Sequence, residues 1–125
     1  MIHLDTSFLI RALVSGSSED HRLRRWSRSG EVIALSAIVW AEFLCGPLNS
    51  HHAELVKVVA GQPLPFLPQD AESAARLFNL TGRRRGTLTD CMIAATAIRE
   101  GASLATSDLE EFHRFQPHGL RLAGY

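Results

Sequence analysis

Apolar and polar positions alternate along this chain in short blocks whose period switches repeatedly between strand and helix. The run Ile2–Leu4 predicts a buried strand that breaks at "DTS", where Asp5 or Thr6 caps a helix through Phe8, Leu9, Ile10 and Leu13. After the loop "SGSSED", Ser17-x-x-Asp20 resembles a capping box and opens a polar helix that Gly30 ends. "EVIALS" predicts a second strand, capped at Ser36 into the helix "AIVWAEFLCGP", which Gly46-Pro47 stops. Ser50 starts a further helix up to Gly61, and "LPFL" reads as a third strand. "QDAESAARLFNL" is amphipathic, with Ala71, Ala74, Ala75 and Phe78 expected to face inward. The basic loop "TGRRRGT" leads to the helix "LTDCMIAATAIREG"; the strand "ASLAT", the short helix "SDLEEFHRF" and a closing strand in "GLRLAG" complete the chain. Buried strands alternating with helices imply right-handed crossovers and a parallel sheet covered on both faces, with ligands gathering beyond the carboxyl ends of the strands.

At 125 residues the chain is expected to form one domain, 1–125, around one core. An apolar fraction of 46% and a charged fraction of 21% are those of an ordinary soluble globule. The 13 basic and 13 acidic residues cancel, so no net field advertises nucleic acid, although Lys57 is the only base that is not an arginine. No apolar run reaches the length of a membrane span and the start lacks a basic leader, which predicts a cytoplasmic protein. Cys45 and Cys91, far apart and outside any metal-binding spacing, are expected to be reduced, buried thiols.

Four acids stand where a globule normally avoids charge. Asp5 closes the first strand, and Asp108 follows the last strand before "SDLE" by two residues. Glu42 is the only charged residue between Val32 and Gly46, so burial is expected whichever helix face it takes. Asp90 lies in line with Ile93, Ala94, Ala97 and Ile98 on a 3.6-residue period. Helix capping offers an alternative for three of them: Asp5 at its turn, Asp90 in a first turn capped by Thr89, and Asp108 inside a Ser107–Glu110 capping box. Glu42 has no such role, and no arginine falls within four residues of Glu42 or Asp90. Should the four converge, repulsion raises their pKa values unless a cation sits among them, and hard oxygen ligands favour Mg²⁺ or Mn²⁺.

With these residues in place, "HLDTSFLI", "SAIVWAEFLCG", "TDCMIAATAIREGASLAT" and "TSDLEEFHRF" together resemble the PIN-domain ribonucleases and, within them, the VapC-type toxins of bacterial toxin–antitoxin pairs. The resemblance implies a PIN-like α/β/α sandwich with a short, mainly parallel sheet of four to five strands. It implies Mg²⁺- or Mn²⁺-dependent endonucleolytic cleavage of RNA, leaving 5′-phosphate and 3′-hydroxyl ends. Carried over by position, Asp5, Glu42, Asp90 and Asp108 are the catalytic and metal-binding quartet, and Thr6 and Thr106 are supporting polar residues. It further implies a VapB-like antitoxin partner and a homodimer. The glycine-flanked Arg83, Arg84 and Arg85 are candidates for contact with RNA, and Arg22, Arg25 and Arg28, with Trp26 beside them, form a second basic stripe. Residues 46–87 match the family only in helical character and leave the RNA target open. The rival readings are a catalytically silent PIN-like scaffold for a partner protein or RNA, and histidine-driven RNA cleavage, for which the six histidines are too scattered. A receiver module needs an acidic pair after the first strand and a late lysine, and a haloacid-dehalogenase phosphatase needs D-x-D; Ser7 stands where that second acid belongs.

Overall fold

The structure, a computed structural model, describes residues 1–47 and 49–124. In chain order the elements are β1 (Ile2–Leu4), α1 (Thr6–Ala12), α2 (Ser18–Arg28), β2 (Ile33–Ala34), α3 (Ala37–Cys45) and α4 (Ser50–Ala60). They continue with α5 (Pro68–Leu80), α6 (Leu88–Arg99), β3 (Ser103–Ala105), α7 (Leu109–His113), a 3₁₀ turn at Gln116–His118 and β4 (Arg121–Leu122). The strands form a parallel sheet in the order β2-β1-β3-β4, with Ile2 opposite both Ile33 and Ser103.

That order fixes where a site can form. The chain leaves β1 toward one edge of the sheet, to β2, and leaves β3 toward the other, to β4. The carboxyl ends of β1 and β3 therefore flank a topological switch point, where the diverging connections leave a crevice. Alternation along β1 separates the helical layers: Leu4 lines a groove with α1, α2 and α4, while the neighbouring His3 feels the charge of Arg99 on α6. The sandwich expected from the sequence is present, and among the described residues no helix is long and apolar enough to cross a membrane.

Several starts are written in local chemistry. Asp5 caps α1 by accepting the Phe8 N–H, Ser17 caps α2 through the Asp20 N–H, and Ser36 caps α3 through the Val39 N–H. The Asp20 carboxylate reaches back to the Gly16 N–H at 3.0 Å, so the expected reciprocal cap is made one residue upstream.

Other expectations need correction. "LPFL" is not a strand: Leu64 forms one isolated parallel bridge with Ser36, because Pro63 and Pro65 on either side have no N–H to extend a ladder. On α5 the inward face is Asp70, Ala74 and Leu77, with Phe78 half-buried, while Ala71 and Ala75 are exposed. The cause is an acid turned inward. Asp70 is 1% exposed, accepts the Leu67 N–H at 2.9 Å and the Arg99 Nε–H at 2.8 Å, and rotates the helix to reach them. Thr87, not Thr89, caps α6; its carbonyl accepts the Cys91 N–H while its hydroxyl donates to the Arg84 carbonyl. The Ser107–Glu110 box is absent, since Ser107 Oγ donates instead to Glu19. Trp26 turns inward and stacks on Phe8 with centroids 5.6 Å apart, and the half-buried Arg22 follows it with its guanidinium 5.4 Å over the indole, which leaves Arg25 and Arg28 as the exposed part of the stripe. Of the two free thiols Cys91 is buried, but Cys45 is exposed at the end of α3.

Because Asp70 is nearly dry and Arg99 is its charged partner, Arg99→Met should strand a buried carboxylate. The expected loss is about 3 kcal/mol of unfolding free energy in urea denaturation; a loss below about 1 kcal/mol would contradict a buried pair.

Candidate active site

The crevice is built around Asp5. Its side chain is 3% exposed and both oxygens are engaged: Oδ1 accepts the Phe8 N–H at 2.9 Å and the Ser7 hydroxyl at 2.8 Å, and Oδ2 accepts the Thr106 hydroxyl at 2.7 Å. Thr106 Oγ1 in turn accepts the Asp108 N–H at 2.9 Å, and Ser7 Oγ accepts the Ser107 N–H at 3.2 Å. These bonds stitch the end of β1 to the end of β3, a contact that no local sequence feature specifies. Burial nevertheless raises the Asp5 carboxyl above its ordinary value, with Asp108 adding to the rise, because three donors only partly replace lost water.

Asp90 stands in the first turn of α6, half-buried. Its carboxyl is pushed up to about 6, first by desolvation and then by the charge of Glu111, with Glu42 and Asp5 adding to the rise against the lowering effect of Arg114. Glu42 is exposed on α3, contrary to the burial expected for it; the Thr6 hydroxyl donates to its Oε1 at 2.6 Å and holds it at the rim. Asp108 is exposed at the start of α7. All four acids, with Thr6, Ser7, Ile93 and Phe112, line one cleft of about 170 Å³.

The capping and cleft readings of Asp5 are both realised, since its Oδ1 caps α1 while the residue lines the crevice. None of the six histidines lines the cleft. His3 is buried, and burial together with the Arg99 charge pulls its imidazole down to about 4.

The basic loop is tied to the rim: Arg84 Nη2 lies 3.6 Å from Glu111 Oε1, while Arg83, Arg84 and Arg85 are exposed and stand outside the cleft lining. Arg83 adopts φ 53° between Gly82 and Gly86, both also at positive φ, so a tight reversal fixes this loop before α6.

Three participants were not evident in the sequence. Ser7, not being an acid, gives no sequence signal, yet it bonds both strand ends. Glu111 and Arg114 follow Asp108 by one and two helical turns, and that spacing is the signal that could have found them. No arginine falls within four residues of Glu42 or Asp90 in sequence, but Arg114 Nη2 comes within 4.0 Å of Asp90 Oδ2 from a distant part of the chain.

Hard carboxylate donors gathered at one cleft, with Asp5 and Asp90 raised above their ordinary values, suit a divalent cation. Asp5 is pinned, whereas Glu42, Asp90 and Asp108 are exposed or half-buried at the cleft edge. Among the described residues no three His, Cys, Asp or Glu side chains already form a closed ligand cage, so ligation calls for Asp90 and Asp108 to turn inward, for Glu42 to leave Thr6, or for water to bridge.

Fold and cleft together define a class. Residues 2–116 match the PIN domain, and the chain belongs to that family. It is 34% identical over 125 residues to Ribonuclease VapC1 of Rickettsia felis, covering 90% of this chain and 89% of that protein. Among solved structures, VapBC2 from Rickettsia felis, bound to a DNA fragment from its promoter, is similar in fold. Its TM-score is 0.79 at 23% identity, covering 100% of this chain and 99% of that one. FitAcB from Neisseria gonorrhoeae superposes with a TM-score of 0.71 at 24% identity, over 99% and 97% of the two chains.

Raised folded-state pKa values carry a sign. A carboxyl whose native pKa lies above its unfolded value holds the extra proton in the folded state, so its stabilising contribution is complete below the unfolded pKa and fades as pH rises through the native one. With chelator present, the contribution of Asp90, whose native value is about 6, should therefore fall between about pH 4 and pH 7, against the opposite contribution of His3, whose imidazole is held down to about 4. Across that range the melting temperature of Asp90→Asn should rise relative to the parent as pH increases, the His3 contribution being common to both; a pH-independent difference would contradict the shift.

Proposed function

We propose that this protein is a metal-dependent endoribonuclease serving as the toxin of a toxin–antitoxin pair, hydrolysing RNA phosphodiester bonds in the cleft of Asp5, Glu42, Asp90 and Asp108. The observation that carries the proposal is the meeting of these four acids, drawn from four elements, at the switch point of the sheet. It is supported by membership of the PIN family and by a relative that is named a ribonuclease. A VapB-like antitoxin is the partner this reading gives the chain, because solved proteins of like fold are VapBC complexes. A second copy of the chain is a further partner on the same family grounds.

Mg²⁺ or Mn²⁺, when bound, supplies positive charge beside the scissile phosphate and a lower pKa for a neighbouring water. Asp5 and Asp90 would be its principal holders, with Asp108 completing the set directly or through water. Asp5 is the fixed reference, since its three hydrogen bonds leave it one rotamer. Glu42, held by Thr6 through Oε1, would use its second carboxylate oxygen to orient the attacking water or to add a ligand. Thr106 serves two acids at once, donating to Asp5 and accepting from the Asp108 backbone, and so sets their separation. Arg83, Arg84 and Arg85 offer positive charge to the RNA strand next to the rim, where Arg84 already pairs with Glu111.

Two measurements test this reading. Protein stripped by chelator should regain cleavage of RNA on addition of Mn²⁺ or Mg²⁺, leaving 5′-phosphate ends, and Asp5→Asn should abolish cleavage while its circular dichroism stays native. Undiminished cleavage by Asp5→Asn would overturn the assignment. Thr106→Val, which removes the link between Asp5 and Asp108, should lower kcat by about 10- to 100-fold with little change in KM, as loss of a ligand-orienting hydrogen bond does; a wild-type kcat would contradict its positioning role.

A further inference from the structure

Arg114, just after α7, is held on three sides. Its Nη1 donates to Glu111 at 2.8 Å, its guanidinium lies over the Phe115 ring at 4.7 Å, and its Nη2 faces Asp90 Oδ2 at 4.0 Å. The side chain is 15% exposed, and both Nε and Nη2 are shielded from solvent without a hydrogen-bond acceptor. Leaving two guanidinium donors unmade in a dry setting is costly, and packing alone would be served as well by an uncharged side chain. The compensation in reach is Coulombic. At 4.0 Å the Asp90 carboxylate is too far for a hydrogen bond but close enough for strong attraction where water is excluded.

We propose that Arg114 is the resident counter-cation of the cleft: it balances Asp90 while no divalent ion is bound and competes for that carboxylate when one arrives. This rests on the divalent-ion reading above and adds a regulatory element to it. Arg114 stands outside the residues that line the cleft, so it is a positioning residue that acts through Asp90. Glu111 orients it by taking Nη1, and the arrangement lets the fold tolerate converging acids without metal, at the expense of metal affinity.

The test uses the full chain and Mn²⁺ itself. Arg114→Gln should bind Mn²⁺ at least about fivefold more tightly by electron paramagnetic resonance, the lower bound set by unit charges about 4 Å apart in bulk water. Its Mn²⁺-induced rise in Tm should exceed that of the parent. Arg114→Lys, which keeps the charge, should bind Mn²⁺ within about twofold of the parent. Unchanged or weaker binding by Arg114→Gln, with the same Mn²⁺-induced rise in Tm, would reduce Arg114 to a packing residue and overturn the proposal. A parent protein that binds no Mn²⁺ at all would instead remove the metal-dependent reading, and this inference with it. Should Arg114→Gln fail to fold, neutralising its target decides: Asp90→Asn combined with Arg114→Gln should restore folding, and a double variant as unfolded as the single one would overturn the proposal.

Discussion

A carboxylate nearly removed from water must be compensated, and the way Asp5 is compensated organises the molecule. Its three donors come from the first turn of α1 and from the far end of β3. Satisfying one acid thereby fixes the start of a helix, the adjacency of two strand ends and the position of the loop that carries Asp108. The hydrogen bonds are incomplete compensation, since burial still raises the Asp5 carboxyl. That residual penalty is what a divalent cation can relieve.

The chain uses buried acids in two ways, and α6 carries one partner of each. At its carboxyl end Arg99 closes on Asp70 through a hydrogen bond of 2.8 Å, and the Asp70 carboxylate also accepts a backbone N–H; that pair is saturated and holds α5 against α6. At its amino end Asp90 has only a guanidinium at 4.0 Å and is surrounded by other acids. A saturated carboxylate is structural because nothing further can approach it with profit. An undersaturated one is poised for a ligand, and the contrast within one helix locates the function.

Much of this was legible in the sequence where the governing forces are local. Caps at Asp5, Ser17 and Ser36 needed only a side-chain oxygen near free N–H groups, and strand runs such as Ile2–Leu4 needed only continuous apolarity. The gathering of four acids at one sheet edge followed from strand order and was visible as soon as the topology was. What was hidden depends on contacts between distant segments. An inward Asp70 turned α5 away from its alanine stripe because its partner is on α6. Glu42 was expected to be buried from its apolar neighbours, but Thr6 anchors it at the cleft mouth. Leu64 has the composition of a strand, and only the two flanking prolines limit it to a bridge. Arg114 is not legible as a counter-charge because it lies far from Asp90 along the chain, whereas the electrostatics act across space.

The central claim is that converging, imperfectly compensated carboxylates create a place for a divalent cation. Side-chain ¹³C NMR of the aspartate and glutamate carboxyls, titrated with and without Mg²⁺, addresses it directly. The account predicts an Asp90 carboxyl titrating at about 6 in chelated protein, displaced downward by Mg²⁺ together with shifts at Asp5, Glu42 and Asp108. An Asp90 that titrates at the ordinary aspartate value near 3.8, with no carboxyl of the cleft responding to Mg²⁺, would contradict it.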